Sequence, residues 1–381
     1  MCSTSWFGSK EDKIVLNNYI KMQKIPSKAL SETISWVRFP LILAVVFIHS
    51  KWYGGEIVPS MINYNNFDYL SLYHLIRYLF SDLLPGLAVH CFFFISGYLF
   101  FVNNSVFTIK IYQNKIKKRT KTLLIPYLIW NILAISYPIV LYLFRDQQLP
   151  TTPIDWFGYL WDIGDKDHNP INYPLWYLRD LMVVMLFSPL YYFLIKKGRE
   201  FYLLFLFAIY MSGIIPKIPG LSMVSIFYFN LGAYFSIYQH NFLVTFKKVE
   251  KYFYLISLIL LFVTVYLYLS ESNYYIYVRK AYIFANIVCF FNLSSYFITN
   301  SKWGKYKMSG DKVFFIYCCH TILLITILDT ISCYYIAGLS PFILIPLYFC
   351  MPYIKITICI FLFLVLKKTV PSVLNVLVGC R

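Results

Sequence analysis

Long apolar runs separated by short polar segments fill most of this 381-residue chain. A membrane-spanning helix needs about 20 consecutive, mostly apolar residues, and ten stretches come near that length. The predicted spans are 34–51, 85–102, 122–144, 175–195, 201–215, 221–239, 252–270, 280–298, 312–332 and 340–366. The pattern therefore predicts an all-α integral membrane protein, a bundle of about ten transmembrane helices.

Some stretches depart from a simple span. The fifth, 201–215, is short for a bilayer. The last contains Pro346, Pro352 and Lys355, so we expect either one kinked helix or two segments. Residues 69–84, just before the second span, are a candidate interfacial helix.

Composition agrees with a membrane protein. The chain is 59% hydrophobic, 21% aromatic and only 13% charged, whereas an ordinary soluble domain is about 25% charged. Such a chain cannot cover itself with polar surface, which excludes soluble, disordered and coiled-coil proteins. The nine cysteines are odd in number and contain no CxxC pair, so we expect buried hydrophobic residues rather than a disulfide framework.

The net charge of +17 is distributed in short basic blocks between the apolar runs. This arrangement is typical of the positive-inside rule and not of a nucleic-acid-binding domain. The blocks alternate between the two sides, and the richer side holds both termini, so both termini are predicted to be cytoplasmic. Residues 1–33 are then a basic cytoplasmic tail and residues 371–381 a cytoplasmic C-terminal tail.

Two ionisable residues, Arg38 and His49, lie in the first span, where charge is costly and usually functional. Eleven residues make about three helical turns and about 16 Å of rise, so both side chains point from one face. An anionic donor could be held by the Arg and a hydroxyl deprotonated by the His. The alternative is an Arg that reaches lipid phosphates at the rim and a His capped by Ser50.

Two segments further on carry candidate binding residues. In the second span, Ser96-Gly97-Tyr98 interrupts a bulky aromatic helix, so either another helix or a ligand can approach closely there. The strongest basic cluster precedes the third span and includes Lys117, Lys118, Arg119 and Lys121. It suits the phosphates of a nucleotide-like donor such as coenzyme A or those of anionic lipids, and charge alone does not separate the two.

The last candidates lie beside the fourth and ninth spans. Trp176 with Arg179 and Asp180 forms either a platform for a sugar or part of an aromatic belt. Tyr317 and His320 are three residues apart on one helix face. The six histidines lack a close metal-ligand spacing, so no metal is predicted.

Together these segments resemble the membrane acyltransferase 3 family, the integral O-acyltransferases of surface polysaccharides, in the short form without an SGNH domain. The resemblance covers nearly the whole chain, with the transmembrane acyltransferase domain expected at 34–370. His90 departs from the small residue or proline that is common there, and the N-terminal tail is longer than usual. The motifs are, in order, Arg38 and His49; Ser96, Gly97 and Tyr98; Lys118, Arg119, Pro126 and Trp130; Trp176 and Arg179; and Tyr317 and His320.

The resemblance implies an acyltransferase of the inner (cytoplasmic) membrane. Such an enzyme would move an acetyl group from cytoplasmic acetyl-CoA to a hydroxyl of a cell-surface or lipid-linked polysaccharide, for example an exopolysaccharide, and would bind no nucleic acid. His49 would be the general base or a transient acyl carrier. Arg179 or a backbone donor near Ser96 and Gly97 would stabilise the oxyanion.

The remaining roles follow from the same resemblance. The phosphates of coenzyme A would be held by Arg38, Lys117, Lys118, Arg119 and Lys121. Substrate would be bound by Ser96, Gly97, Tyr98, Trp176, Arg179, Tyr317 and His320.

Two other classes of protein share parts of this pattern. A transporter or flippase for lipid-linked sugars would have the same basic loops and aromatic residues, but would work without acyl-CoA and tolerate His49→Gln. A structural membrane subunit would need neither Arg38 nor His49. Within the acyltransferase interpretation, the sequence leaves open acetyl or succinyl, the sugar, the hydroxyl modified, the side of modification and the oligomeric state.

Overall fold

The structure is a computed structural model that describes residues 28–50, 56–64, 66–102, 107–136, 139, 152–165, 167–322, 334–336 and 338–380. Most of the predicted N-terminal tail lies outside these residues. So do the later parts of the predicted third and ninth spans, 122–144 and 312–332.

The described elements are helical, apart from one isolated β-bridge between Ile218 and Leu221. Two π-helical turns occupy Leu79–Leu83 and Thr120–Leu124, and a short 3-10 turn at Tyr173–Leu175 precedes α7. The helices are α1 (Lys28–Ile48), α2 (Tyr69–Tyr78), α3 (Leu87–Phe101), α4 (Ile109–Arg119), α5 (Ile125–Ala134), α6 (Pro153–Tyr159), α7 (Trp176–Leu186), α8 (Ser188–Ser212), α9 (Met223–Ile237), α10 (Phe242–Leu269), α11 (Tyr275–Asn300), α12 (Gly310–Cys319), α13 (Pro341–Thr369) and α14 (Pro371–Leu377).

Five stretches in the described part of the chain are long and apolar enough to cross a membrane. They are α1, Tyr69–Phe101, α10, α11 and α13. Tyr173–Leu186 and α8 would make a sixth as one broken span, bent by 64°. The protein is therefore an all-α membrane protein. The count of ten spans and the cytoplasmic side of the termini stay predictions.

Several helix boundaries differ from those predicted. Residues 69–84 do not form a separate interfacial element, because α2 continues through a π turn into α3. A π turn absorbs an extra residue without ending the helix. The last predicted span is one helix, α13, despite Pro346 and Pro352. α8 replaces the loop predicted between spans four and five, and its break there is a kink at Arg199, where φ is +48°.

The closest helix packing joins α3 and α9. Gly97 faces the main chain of Phe229, and Gly232 faces that of Phe94. A Cβ atom at these glycines would lie 2.0 Å and 1.9 Å from the two carbonyl oxygens. Only hydrogen fits in that space, so this pair of glycines sets the distance between the helices. The expectation that Gly97 meets substrate is corrected by this contact, because a neighbouring helix backbone fills the space.

α1 is the central helix for the candidate site. It packs against α3, α11, α12 and α13. α10 packs mainly on α11 and exposes most of its apolar side chains, as a lipid-facing helix does. Arg38 on α1, and His49 directly after its end, thus lie among other helices.

The C-terminal segment also takes part in the core. α14 packs on α5, where the indole nitrogen of Trp130 donates to the carbonyl of Leu377 at 3.0 Å. Leu374 and Val378 are buried. The segment predicted as a C-terminal tail, 371–381, therefore begins with a packed helix.

Candidate active site

A cavity of about 590 Å³ lies between α1, the α3 face that carries Ser96, the end of α4, α7 and α12. Three cationic residues line it: Arg38 from α1, and Lys118 and Arg119 from the last turn of α4. They belong to two segments that are far apart in sequence and that were both predicted to hold phosphates. The fold brings these two segments to one wall.

The cluster on α4 concentrates positive charge beside this cavity. Burial, together with the charges of Arg119 and Lys118, lowers the pKa of the nearby Lys115 ammonium. Burial also lowers the pKa of the Arg119 guanidinium, which remains charged at neutral pH. Such a field favours an anion with several charges. Lys117 and Lys121 are exposed and do not line the cavity.

Arg38 is held at the cavity by the start of α12. A Cβ atom on Gly310 would lie 3.2 Å from Nη1 of Arg38, so the glycine leaves room for the guanidinium. The neighbouring Asp311 also lines the cavity and adds one carboxylate to the cationic wall.

The rest of the wall is mostly apolar, with a few hydroxyl groups. Ser96 Oγ lies 3.1 Å from the hydroxyl of Tyr177. The Tyr317 hydroxyl donates to the carbonyl of Pro174 at 2.5 Å. Ser96 and Tyr317, both predicted to bind substrate, therefore meet Arg38 at the cavity. Tyr98 does not line it and packs against Phe242, with ring centroids 5.3 Å apart.

His49 is the residue directly after α1 and does not line the cavity; its N–H still donates to the carbonyl of Val45 at 3.3 Å, so this last turn places it on the side of Arg38 and Ile42. The Tyr317 ring lies 6.4 Å from that of His320, and the His320 ring lies 5.3 Å from that of His49. Two side chains, Tyr317 and His320, thus connect the cavity to His49. Ser50 does not cap His49, because its hydroxyl donates to the main chain one turn earlier.

His320 is fully buried at the end of α12. Its Nδ1 lies 2.8 Å from the carbonyl of Tyr317 and 3.1 Å from that of Ile316. Carbonyl oxygens only accept, so Nδ1 carries the proton and Nε2 carries the lone pair. This Nε2 is buried and has no hydrogen-bond partner in the described part of the chain.

Lys355 is a residue of the site that the sequence interpretation did not assign. It comes from α13, is fully buried, and donates to the carbonyl of His49 at 3.1 Å. The signal was available, because a cation within an apolar span is functional by default. What the sequence does not show is that Lys355 meets His49 across 306 residues.

Arg179 does not line the cavity, and its side-chain contacts favour a structural role over the predicted binding of substrate. Its Nε and Nη2 atoms donate to Asp180 at 3.2 and 3.1 Å, and its Nη1 donates to the carbonyls of Trp161 and His168. The buried guanidinium therefore connects α7 to the segment that precedes it. The N–H groups that make these bonds are the ones that a sugar or an oxyanion would need.

Trp176, the other half of the predicted sugar platform, does not line the cavity either. The ammonium of Lys217 lies 4.7 Å from the centre of its indole ring, and also donates to the carbonyl of Asp167. A cation thus already lies against the indole ring.

Comparison with known proteins identifies the family of this chain. The model of the acyltransferase 3 family, an acyltransferase domain, matches residues 32–370. The chain is 27% identical over 371 residues to the succinoglycan biosynthesis protein ExoH of Rhizobium meliloti (strain 1021), an alignment that covers 92% of this chain and 93% of that protein. No solved structure matches the chain. The chain belongs to the acyltransferase 3 family of membrane acyltransferases.

Proposed function

We propose that this protein is an O-acetyltransferase of the cytoplasmic membrane that moves an acetyl group from acetyl-CoA to a hydroxyl of a polysaccharide or its lipid-linked precursor. Family membership supports acyl transfer, and the similarity to a succinoglycan biosynthesis protein supports a polysaccharide acceptor. The assignment of acetyl-CoA as the donor is supported by one observation: Arg38, Lys118 and Arg119 line the same cavity.

The cavity suits the two chemical halves of acetyl-CoA. Arg38, Lys118 and Arg119 provide charge-assisted hydrogen bonds to phosphate groups. The apolar part of the wall accommodates the pantetheine arm, which carries no charge. The thioester then extends along the α1 face past Tyr317, toward His49.

His49 provides the proton transfer that the reaction needs. A neutral imidazole takes the proton of the acceptor hydroxyl while the hydroxyl oxygen attacks the thioester carbonyl carbon. The C–S bond then breaks, and the departing thiolate of coenzyme A takes the proton back from the imidazolium. The products are an acetyl ester and free coenzyme A, and His49 is restored.

The test uses purified protein, acetyl-CoA with a labelled acetyl group, and a glycolipid extract from the producing cells. We expect release of coenzyme A and transfer of label to the extract. Lys118→Gln should raise the KM for acetyl-CoA several-fold, since an exposed charged contact contributes about 1 kcal/mol. Lys117→Gln is the matched control, because Lys117 is on the same helical turn but off the cavity.

Two results would contradict the proposal. Folded wild-type protein that neither releases coenzyme A nor labels the extract would favour the transporter class instead. Equal KM values for acetyl-CoA in Lys117→Gln and Lys118→Gln would show that the cavity is not the site that binds acetyl-CoA.

A further inference from the structure

The imidazole of His320 has an unexplained nitrogen. The ring is fully buried, yet only Nδ1 is hydrogen-bonded, and Nε2 has no partner among the described residues. Leaving a buried polar atom unpaired costs about 1–3 kcal/mol. Most buried polar atoms are therefore paired, and an exception at a helix end beside a candidate base calls for a functional explanation.

His49 is the ring placed to use this lone pair. The centroids of the two imidazoles are 5.3 Å apart, with an angle of 36° between the planes. Two imidazoles joined by an N–H···N hydrogen bond of about 2.9 Å have centroids roughly 5 Å apart. The separation thus already fits a bonded pair. Closing the bond requires the His49 ring to turn its N–H toward Nε2, and catalytic hydrogen bonds commonly tighten only when substrate is bound.

The groups around the pair keep His320 an acceptor. From α13, Lys355 brings a buried positive charge to the carbonyl of His49. From the turn before α7, the Tyr173 ring lies 4.8 Å from that of His49, and Tyr317 neighbours His320 on α12. A cation beside His320 disfavours a second proton on that ring, so the Nε2 lone pair remains available.

We propose that His320 is a positioning residue for acyl transfer: its Nε2 accepts the N–H of His49 and thereby fixes the tautomer in which the other nitrogen of His49 is the base. This proposal rests on the proposed function. His320 itself holds its Nδ1 proton on the main chain of α12, so the second imidazole is in turn oriented by the helix.

The proton balance is the same as for His49 alone. The hydroxyl proton passes to the free nitrogen of His49, and the imidazolium that forms shares its other N–H with His320. When the C–S bond breaks, the proton passes from His49 to the thiolate of coenzyme A. His320 gains and loses no proton, so its effect is on the orientation and basicity of His49.

The test compares His320→Ala and His320→Gln in the full-length protein with labelled acetyl-CoA and the glycolipid extract. We expect His320→Ala to lower kcat by about 100-fold, with the KM for acetyl-CoA changed less than about threefold. His320→Gln, which keeps an acceptor, should retain more kcat than His320→Ala. Imidazole added to the buffer should partly restore the Ala variant, which a purely structural role would not produce.

His90→Gln is the matched control. The His90 imidazole makes the same bond to the main chain one turn earlier, at 2.7 Å from the Gly86 carbonyl, but its ring lies against Tyr228. We expect wild-type kcat for this variant. Binding of acetyl-CoA to each variant reports whether it is folded.

The outcomes separate the two proposals. Wild-type protein without acetyl transfer would overturn the proposed function and the pair together. If wild-type protein is active and His320→Ala keeps full kcat, only the role of His320 is overturned. If the Ala variant fails to bind acetyl-CoA, full kcat in His320→Gln has the same meaning. A loss of kcat that imidazole does not restore, and that is equal in the Ala and Gln variants, would also overturn it.

Discussion

Gly97→Ala is the substitution whose effect the structure defines most directly. The added Cβ atom would lie 2.0 Å from the Phe229 carbonyl oxygen, whereas ordinary contact begins at 3.4 Å. Both partners are helix backbone, so α3 and α9 must separate by more than about 1 Å. Such overpacking lowers the free energy of unfolding by about 1–3 kcal/mol. This loss exceeds the gain of roughly 0.5–1 kcal/mol that Ala gives over Gly inside a helix.

The reciprocal contact makes the prediction sharper. Gly232→Ala meets Phe94 in the same way, at 1.9 Å, across the same interface. Once the helices have separated for one methyl group, the second is accommodated at little further cost. The double variant should therefore lose less stability than the sum of the single variants. Because Ser96 adjoins Gly97 and lines the cavity, transfer activity should fall as well.

Thermal unfolding in one detergent measures these effects, with Gly158→Ala as the control. Gly158 is also helical, but an added Cβ would meet nothing within 4 Å, so this variant should be as stable as wild type or slightly more stable. An unfolding temperature of Gly97→Ala equal to that of the control would refute the packing argument. Strict additivity in the double variant would refute the shared interface.

Three further predictions concern the site and its support. Gly310→Ala places a methyl group 3.2 Å from Nη1 of Arg38, so the guanidinium must shift. Steady-state kinetics should then show a several-fold higher KM for acetyl-CoA at unchanged kcat. An unaltered KM would contradict this prediction. Arg179→Gln leaves the buried Asp180 without its cation and should cost about 3–5 kcal/mol, measured as a lower unfolding temperature; a temperature equal to wild type would show the pair to be dispensable. Lys355→Met removes a buried charge together with its hydrogen bond to the His49 carbonyl. The free energy of unfolding should therefore change by less than about 2 kcal/mol, while kcat falls about tenfold. A variant with full kcat would show that Lys355 has no role in the reaction.

The sequence was most informative where charge is rare. In a chain with 13% charged residues, a cation inside an apolar run stands out, and Arg38 and the basic segment before the third span were found in this way. Both reach one cavity in the structure. The helical spacing of Arg38 and His49 predicted one face of one helix; in the structure α1 carries Arg38 and ends at Ile48, and His49 follows directly after it.

Tertiary contacts decided the cases that the sequence left open or assigned differently. An Arg next to an Asp is compatible with a ligand site or a structural pair, and the carbonyls that Arg179 meets in the structure favour the structural pair. Gly97 looked open to a ligand because the helix backbone that faces it, at Phe229, lies far along the chain. Lys355 was visible as a charge, but its partner is in the first span.

The central claim is that α1 holds the donor near Arg38 and performs chemistry at His49. The most direct measurement compares acetyl-CoA binding and single-turnover transfer in Arg38→Gln and His49→Gln. Removal of a charged hydrogen bond costs about 1.5–3 kcal/mol, so we predict that Arg38→Gln binds acetyl-CoA at least about tenfold more weakly. We predict that His49→Gln binds it as wild type does and transfers no acetyl group. Transfer by His49→Gln at the wild-type rate, or wild-type binding by Arg38→Gln, would contradict the account.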